Sequence, residues 1–224
     1  MKKSIVLATA VAAVLSSAAL TSSVAMADAS VNAAATSNYI WRGVSQSSDT
    51  ASVQGGVDWS GESGIYAGTW VGSLVVGQET DFYLGFAGEA GDFGYDVGAI
   101  VYAYTLAPNT NFTEVYLNAS FGGLSAGVAT TVDSASANTG GAFDEGDLYL
   151  NAAYDFTAGP FDTSVFVGTY MFDNDSATQA LDYTHYGVSL TSGEVTVSVE
   201  KNDIEGGNAD NVRIVATWSK AWDI

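Results

Sequence analysis

The stretch SNYIWRGVSQSS, residues 37–48, sets Tyr39, Ile40, Trp41 and Arg42 side by side before it dissolves into small polar residues. Read alone it suggests a binding motif. The other chemistry-bearing candidates are sparse. His185, the one histidine of the chain, lies in DYTHYGVSL with Ser189 four residues on, whereas the residue two positions beyond it on the same strand face is Gly187. A nucleophile needs an adjacent activating base, and this spacing does not supply the pair, so no catalytic residue is assigned and the chain reads as a non-enzyme. The acidic segments DEGD (144–147), DND (173–175) and NDIEGGNAD (202–210) offer hard oxygen donors, but none has the full spacing of a calcium loop, and no metal site is assigned. No glycine-rich turn leads from a strand into a helix as a phosphate cradle would, and no cofactor is expected.

The elements that must position these residues follow from composition and periodicity. The 224 residues include no Cys, 25 Gly and 2 Pro, and are 47% hydrophobic but only 14% charged. The N-terminus has Lys2 and Lys3, an apolar run from Ile5 to Leu20, and Ala25 and Ala27 flanking Met26. This is the pattern of a secretory signal peptide over residues 1–27, cut after Ala27, leaving a single domain over 28–224. An extracytoplasmic chain without cysteine has no disulfide framework and no thiolate chemistry. Removal of the leader lysines leaves Arg42, Lys201, Arg213 and Lys220 against 25 acidic side chains, a net charge of about −21. Such a charge repels phosphate backbones and argues against nucleic acid as a partner.

Beyond residue 28 no apolar run approaches the roughly 20 residues of a membrane helix. Apolar and polar residues instead alternate with period 2, as in half-buried strands. Val53, Val57 and Trp59 alternate with Gln54 and Asp58; Val115, Leu117 and Ala119 with Glu114, Tyr116 and Asn118; Leu148, Leu150 and Ala152 with Tyr149 and Asn151. The pattern predicts twelve strands, near 31–42, 51–60, 65–73, 80–89, 93–104, 112–121, 124–132, 147–156, 161–172, 183–191, 195–203 and 211–222. Short turns such as AGD, GG, TAGP and SG alternate with longer polar segments, the arrangement of an outer-membrane barrel with tight periplasmic turns and long external loops. The expected fold is therefore all-β, a transmembrane antiparallel up-and-down β-barrel. A soluble β-sandwich shares the alternation, but aromatic residues gather at the strand ends in two sets. Tyr39, Trp41, Phe112, Tyr170 and Phe172 fall toward one edge, and Trp59, Phe121, Tyr154, Phe156, Phe161, Trp218 and Trp222 toward the other. Two girdles at membrane interfaces are expected to look like this. With apolar residues facing lipid, the inward set comprises Asp58, Asp81, Asp96, Glu114, Asp147, Asp155, Asp162 and Glu200, with Arg42, His185 and Arg213 as its basic members.

SNYIWRGVSQSS, followed by GGVDWSGESGIYAGTWVGS, GYDVGAIVYAY, TEVYLNASFG and a final strand ending near WSKAW, resembles the TorF family of porins, small Gram-negative outer-membrane proteins. The resemblance spans the mature chain and implies an integral outer-membrane barrel with channel activity; it supplies no catalytic or binding residues. The last strand, VRIVATWSKAWDI, is similar to the terminal signal read by outer-membrane assembly machinery, except that Asp223 and Ile224 follow Trp222. The expected partners are outer-membrane lipid and lipopolysaccharide, that machinery, and small solutes.

Two function classes follow. One is a passive channel for small solutes, cation-preferring because carboxylates raise the local cation concentration. The other is a structural or adhesive barrel with a plugged lumen. In either, SNYIWRGVSQSS is expected to be the top of the first strand, with Tyr39 and Trp41 in the outer interface and Arg42 pointing inward.

Overall fold

The computed structural model describes residues 28–136, 142–175, 180–206 and 209–224; the leader expected over residues 1–27 lies outside them. The described strands are β1 (Asp28–Thr36), β2 (Ile40–Trp41), β3 (Val44–Ser45), β4 (Ser52–Ser60), β5 (Ile65–Ser73), β6 (Gln78–Ala90), β7 (Phe93–Tyr104), β8 (Phe112–Phe121), β9 (Leu124–Ser134), β10 (Leu148–Ala158), β11 (Phe161–Met171), β12 (Tyr183–Ser192), β13 (Val195–Asn202) and β14 (Arg213–Asp223). β4 to β14 pair antiparallel in sequence order, and β1 closes the sheet by pairing with both β4 and β14. The result is a closed twelve-stranded antiparallel barrel with the β2–β3 hairpin outside its sheet. No helix among the described residues is long and apolar enough to cross a membrane.

Closure answers a physical demand. In hydrocarbon an open sheet edge would leave each N–H and C=O unpaired at a cost of several kcal/mol, and a barrel has no edge. The strands of the barrel run from 8 residues in β13 to 13 in β6, close to the roughly 9–11 tilted residues that span a bilayer core. Alternation sorts their faces. Val53, Leu84, Leu117 and Ile214 are exposed outward, while Gln54, Tyr83, Asp96 and Asn118 point inward and are buried or half-buried. The outside is thus apolar and the inside polar, the reverse of a soluble sandwich, whose apolar faces meet each other.

An even strand number returns Asp28 and Asp223 to one end. That end carries the tight turns, several of them opening on glycine in a left-handed conformation, as at Gly122 and Gly159 with φ 59° and 63°, which two-residue hairpin turns require. The opposite end carries the long loops.

The first strand is a correction. It stops at Thr36 rather than continuing to Arg42. Thr36 Oγ1 donates to the Asn38 carbonyl at 2.8 Å, and the Ser47 hydroxyl accepts from the Tyr39 N–H at 2.9 Å. These local bonds bend the chain out of the sheet, and residues 38–47 fold into the barrel instead of extending from its rim.

Candidate functional site

The β2–β3 hairpin has a two-residue tip, Arg42 and Gly43, with φ 48° and 79°. Positive φ at both positions is the type I′ signature. Glycine adopts it freely, whereas an arginine there is uncommon and is retained against a conformational cost of about 1–3 kcal/mol. What holds it is the far wall of the barrel. Arg42 Nη1 and Nη2 donate to Glu114 Oε1 and Oε2 at 2.7 and 2.6 Å, a bidentate pair with both side chains essentially inaccessible to solvent. The guanidinium carbon lies 4.0 Å from the ring centroid of Tyr149, 4.3 Å from that of Trp41 and 4.9 Å from that of Tyr170. The planar guanidinium stacks on the rings and pairs with both carboxylate oxygens at once, whereas a lysine ammonium, which is also attracted to ring faces, could not pair bidentately. Glu114 also accepts from the hydroxyls of Tyr102 and Tyr170 at 3.2 and 3.1 Å, so its oxygens are saturated.

The next tip residue is held as firmly. The Gly43 carbonyl accepts from Asn202 Nδ2 at 2.7 Å, and a Cβ at Gly43 would collide with the His185 side chain. His185 Nε2 pairs with the Tyr149 hydroxyl at 2.8 Å, the two rings stacked. Carboxylate, imidazole, amide and phenols thus come from β7, β8, β10, β11, β12 and β13, all at the loop end of their strands. Glu114 sits at a register shift, where β9 carries one residue more than β8 opposite Thr113 and Glu114; bulges of this kind redirect side chains beside sites.

Around the tip the interior is aromatic. Trp41 packs on Tyr102, Phe112, Tyr170 and Phe143, with centroids 5.6–6.2 Å apart. Phe143, from the β9–β10 connection, stacks on Phe112 at 4.9 Å, so a second loop helps to cover the mouth. Between the hairpin and the wall lies a small cavity, partly open to solvent, lined by Tyr39, Trp41, Trp70, Asp81, Tyr102 and Glu114 among others.

The expected interface aromatics divide cleanly. Trp59, Phe121, Tyr154, Phe156, Phe161, Trp218 and Trp222 are exposed on the outside. Tyr39, Trp41, Phe112, Tyr170 and Phe172 are 1–9% exposed or fully buried, and they form an interior cluster rather than an outer girdle. The reason is parity. Phe112 shares a face with Glu114, and Tyr170 and Phe172 share one with Gly168, all inward, while Tyr39 and Trp41 leave the sheet altogether.

Of the expected inward residues, Asp58, Asp81, Asp96, Glu114, Asp155, His185 and Glu200 lie on inward faces. Asp58 accepts from Asn32 Nδ2 at 2.9 Å and from the Tyr83 hydroxyl, and Asp96 accepts from the Tyr66 hydroxyl at 2.6 Å. Asp147 is instead taken up by loop backbone: its oxygens accept from the Asp144 and Asp173 N–H groups at 3.0 and 2.9 Å. Its carboxyl is raised from the ordinary range because burial outweighs those bonds. Asp162 is exposed near the turn end. Arg213, at the loop end, donates through Nε to Asp49 at 2.8 Å and through Nη1 to the Ala209 carbonyl at 2.8 Å. The sequence reading missed Glu79, 1% exposed on the same face as Asp81; its place in the β6 alternation, just ahead of the expected strand start at residue 80, was the available signal.

A closed barrel of twelve antiparallel strands, apolar outside and polar inside, defines the fold of the outer-membrane porins. The chain belongs to the family described as "Bacterial protein of unknown function (Gcw_chp)", which matches residues 19–220. The TorF resemblance rests on the sequence motifs alone. Among solved structures the chain is similar to a KdgM porin, with 10% identity, 86% of this chain and 98% of that chain covered, and a TM-score of 0.56. It is also similar to a NanC porin, with 12% identity, the same coverage and a TM-score of 0.50. A KdgM porin in complex with disordered oligogalacturonate gives 10% identity, again 86% and 98% coverage, and a TM-score of 0.50. At these identities the likeness is one of fold. No curated protein sequence matches the chain.

Proposed function

We propose that this protein is an integral outer-membrane channel for passive diffusion of small solutes, with a lumen narrowed from the loop end by its own first loop. The observation that carries the reading is a polar, cavity-bearing interior inside a closed barrel whose outer surface is apolar. Outer-membrane lipid and lipopolysaccharide surround it, and assembly machinery reads its last strand.

The same interior supports a preference for cations. Asp58, Glu79, Asp81, Asp96, Asp155 and Glu200 all face inward, while the charge of Arg42 is neutralised by Glu114. Clustered carboxylates raise local cation concentration and repel anions. The KdgM porin is solved in complex with oligogalacturonate, a polyanion; the acidic interior here argues for a different class of solute.

The test is conductance of the purified, folded protein in planar bilayers under a salt gradient. Discrete steps with a reversal potential of cation sign are expected. Steps of anion sign would remove the charge argument and leave the pore. Absence of steps from protein shown to be folded by heat-dependent gel mobility favours the second reading, a structural or adhesive barrel sealed by the hairpin, which the buried Arg42–Glu114 pair supports.

A further inference from the structure

Arg42 shows what this interior does with an organic cation: it lays it across aromatic faces and sets a carboxylate at its end. A second carboxylate in the same cavity has the surroundings but not the cation. Asp81 is 4% exposed, lines the cavity, and its Oδ1 is shielded from solvent with no hydrogen-bond partner. Its cross-strand neighbours on the same face are Trp70 on β5 and Tyr102 on β7. From the hairpin, Tyr39 packs on Trp70 with centroids 5.4 Å apart, and Trp41 on Tyr102 at 5.7 Å. Four rings therefore gather about a carboxylate whose Oδ1 has no partner. Two residues along β6, Glu79 adds a second buried carboxylate with Oε2 unpartnered.

We propose that Asp81 and the rings of Tyr39, Trp41, Trp70 and Tyr102 form a binding site for small organic cations that carry an ammonium group. The chemistry is that of an aromatic cage closed by a carboxylate: ring faces attract the alkylated, weakly hydrated part of the cation, and the carboxylate takes its N–H groups. A bare metal ion fits less well, since among the described residues no three carboxylate or imidazole groups converge as its ligands would. A carboxylate buried without a counter-charge is costly, and an entering ammonium group supplies that charge. The proposal rests on the channel reading for the route of the solute, not for its binding.

The experiment is titration calorimetry of the full folded barrel in neutral detergent, at constant ionic strength set with sodium chloride. The probe is butylammonium, compared with uncharged n-butanol and with butyrate. Saturable binding of butylammonium alone is expected, weakened at least tenfold in Asp81→Asn and several-fold in Trp70→Leu, and unchanged in Glu62→Gln at the turn end. Two substitutions of different chemistry, each checked for its folded gel mobility, keep the test valid if one variant fails to fold. No saturable binding, equal binding of butanol, or unchanged affinity in folded Asp81→Asn would overturn the site, the last two by showing that Asp81 contributes no charge to the cavity. Conductance separates the two readings. A protein that conducts but does not bind butylammonium loses the site and keeps the channel, and one that binds but never conducts loses the channel and keeps the site.

Discussion

Arg42 and Glu114 lie 72 residues apart in the chain and meet at 2.6 and 2.7 Å inside the barrel, one from a loop and the other from the wall. The pair fastens the first external loop across the lumen. Four aromatic residues are arranged around it: Tyr102 and Tyr170 complete the acceptor capacity of Glu114, and Tyr149 and Trp41 cover the guanidinium.

Breaking that pair from either side leaves a charge buried without a partner. Arg42→Met and Glu114→Gln are each expected to lower stability by about 3 kcal/mol. The double variant is expected to lose less than the sum, since neither charge is then stranded. Urea unfolding followed by tryptophan fluorescence, run on all four proteins, gives the coupling; strict additivity would mean that the pair does not fasten the loop.

Gly43→Ala tests the hairpin without touching a charge. The added methyl meets the His185 side chain and forces an L-residue into φ 79°. A substitution incompatible with its native φ costs more than about 1 kcal/mol, and here undocking the tip relieves it. The expected readout in planar bilayers is a larger unitary conductance than the parent, with the folded gel mobility kept. An unchanged conductance would place the narrowest point elsewhere.

Acid should loosen the loop rim. The Arg213 guanidinium and the Asn38 amide hold the Asp49 carboxyl below its ordinary value of 3.8. A carboxyl lowered on folding stabilises the folded state above its ordinary range and loses that contribution as pH falls through the lowered value. Between pH 5 and 8 the contribution is constant, and the loss falls below about pH 4. Asp49→Asn is expected to remove that part of the acid limb in a pH titration of melting temperature; an acid limb identical to the parent would exclude Asp49 as its source.

The outer face makes its own prediction. Leu84, 59% exposed at the middle of β6, should lie near the bilayer midplane. Leu84→Arg is expected to cost about 2–4 kcal/mol when unfolding is measured in liposomes. Glu62→Arg, at a turn, is expected to cost close to nothing, and equal costs at the two positions would argue against a lipid-facing β6.

Most of the barrel could be read from the chain. Strands β4, β5, β7, β8, β11, β12 and β13 fall within a residue of their expected limits, because tight turns at Gly64, Gly91, Gly122, Gly159 and Gly193 close one end of each alternating run. The turn-end aromatics Trp59, Phe121 and Trp218 are exposed, each sharing a strand face with apolar neighbours. The loop-end set failed for two reasons. Phe112, Tyr170 and Phe172 lie near strand ends as a girdle would, but the alternation through Glu114 and Gly168 turns them inward. Tyr39 and Trp41 continue the period-2 pattern of β1, so the exit at Thr36 is marked only by the small polar run Thr36-Ser37-Asn38 and by Gly43, and Arg-Gly is a weak turn signal beside Asn-Gly or Asp-Gly.

What the sequence determined by itself is the barrel and its two faces, because side-chain direction along a strand is a local property of the pleat, repeated every two residues. What fills the interior was decided only by tertiary structure. The Arg42–Glu114 pair, the seat of Gly43 against His185 and the ring of aromatics around Asp81 join residues from separate strands. Their distances exist only once closure of β1 on β14 has set the diameter that the hairpin must cross.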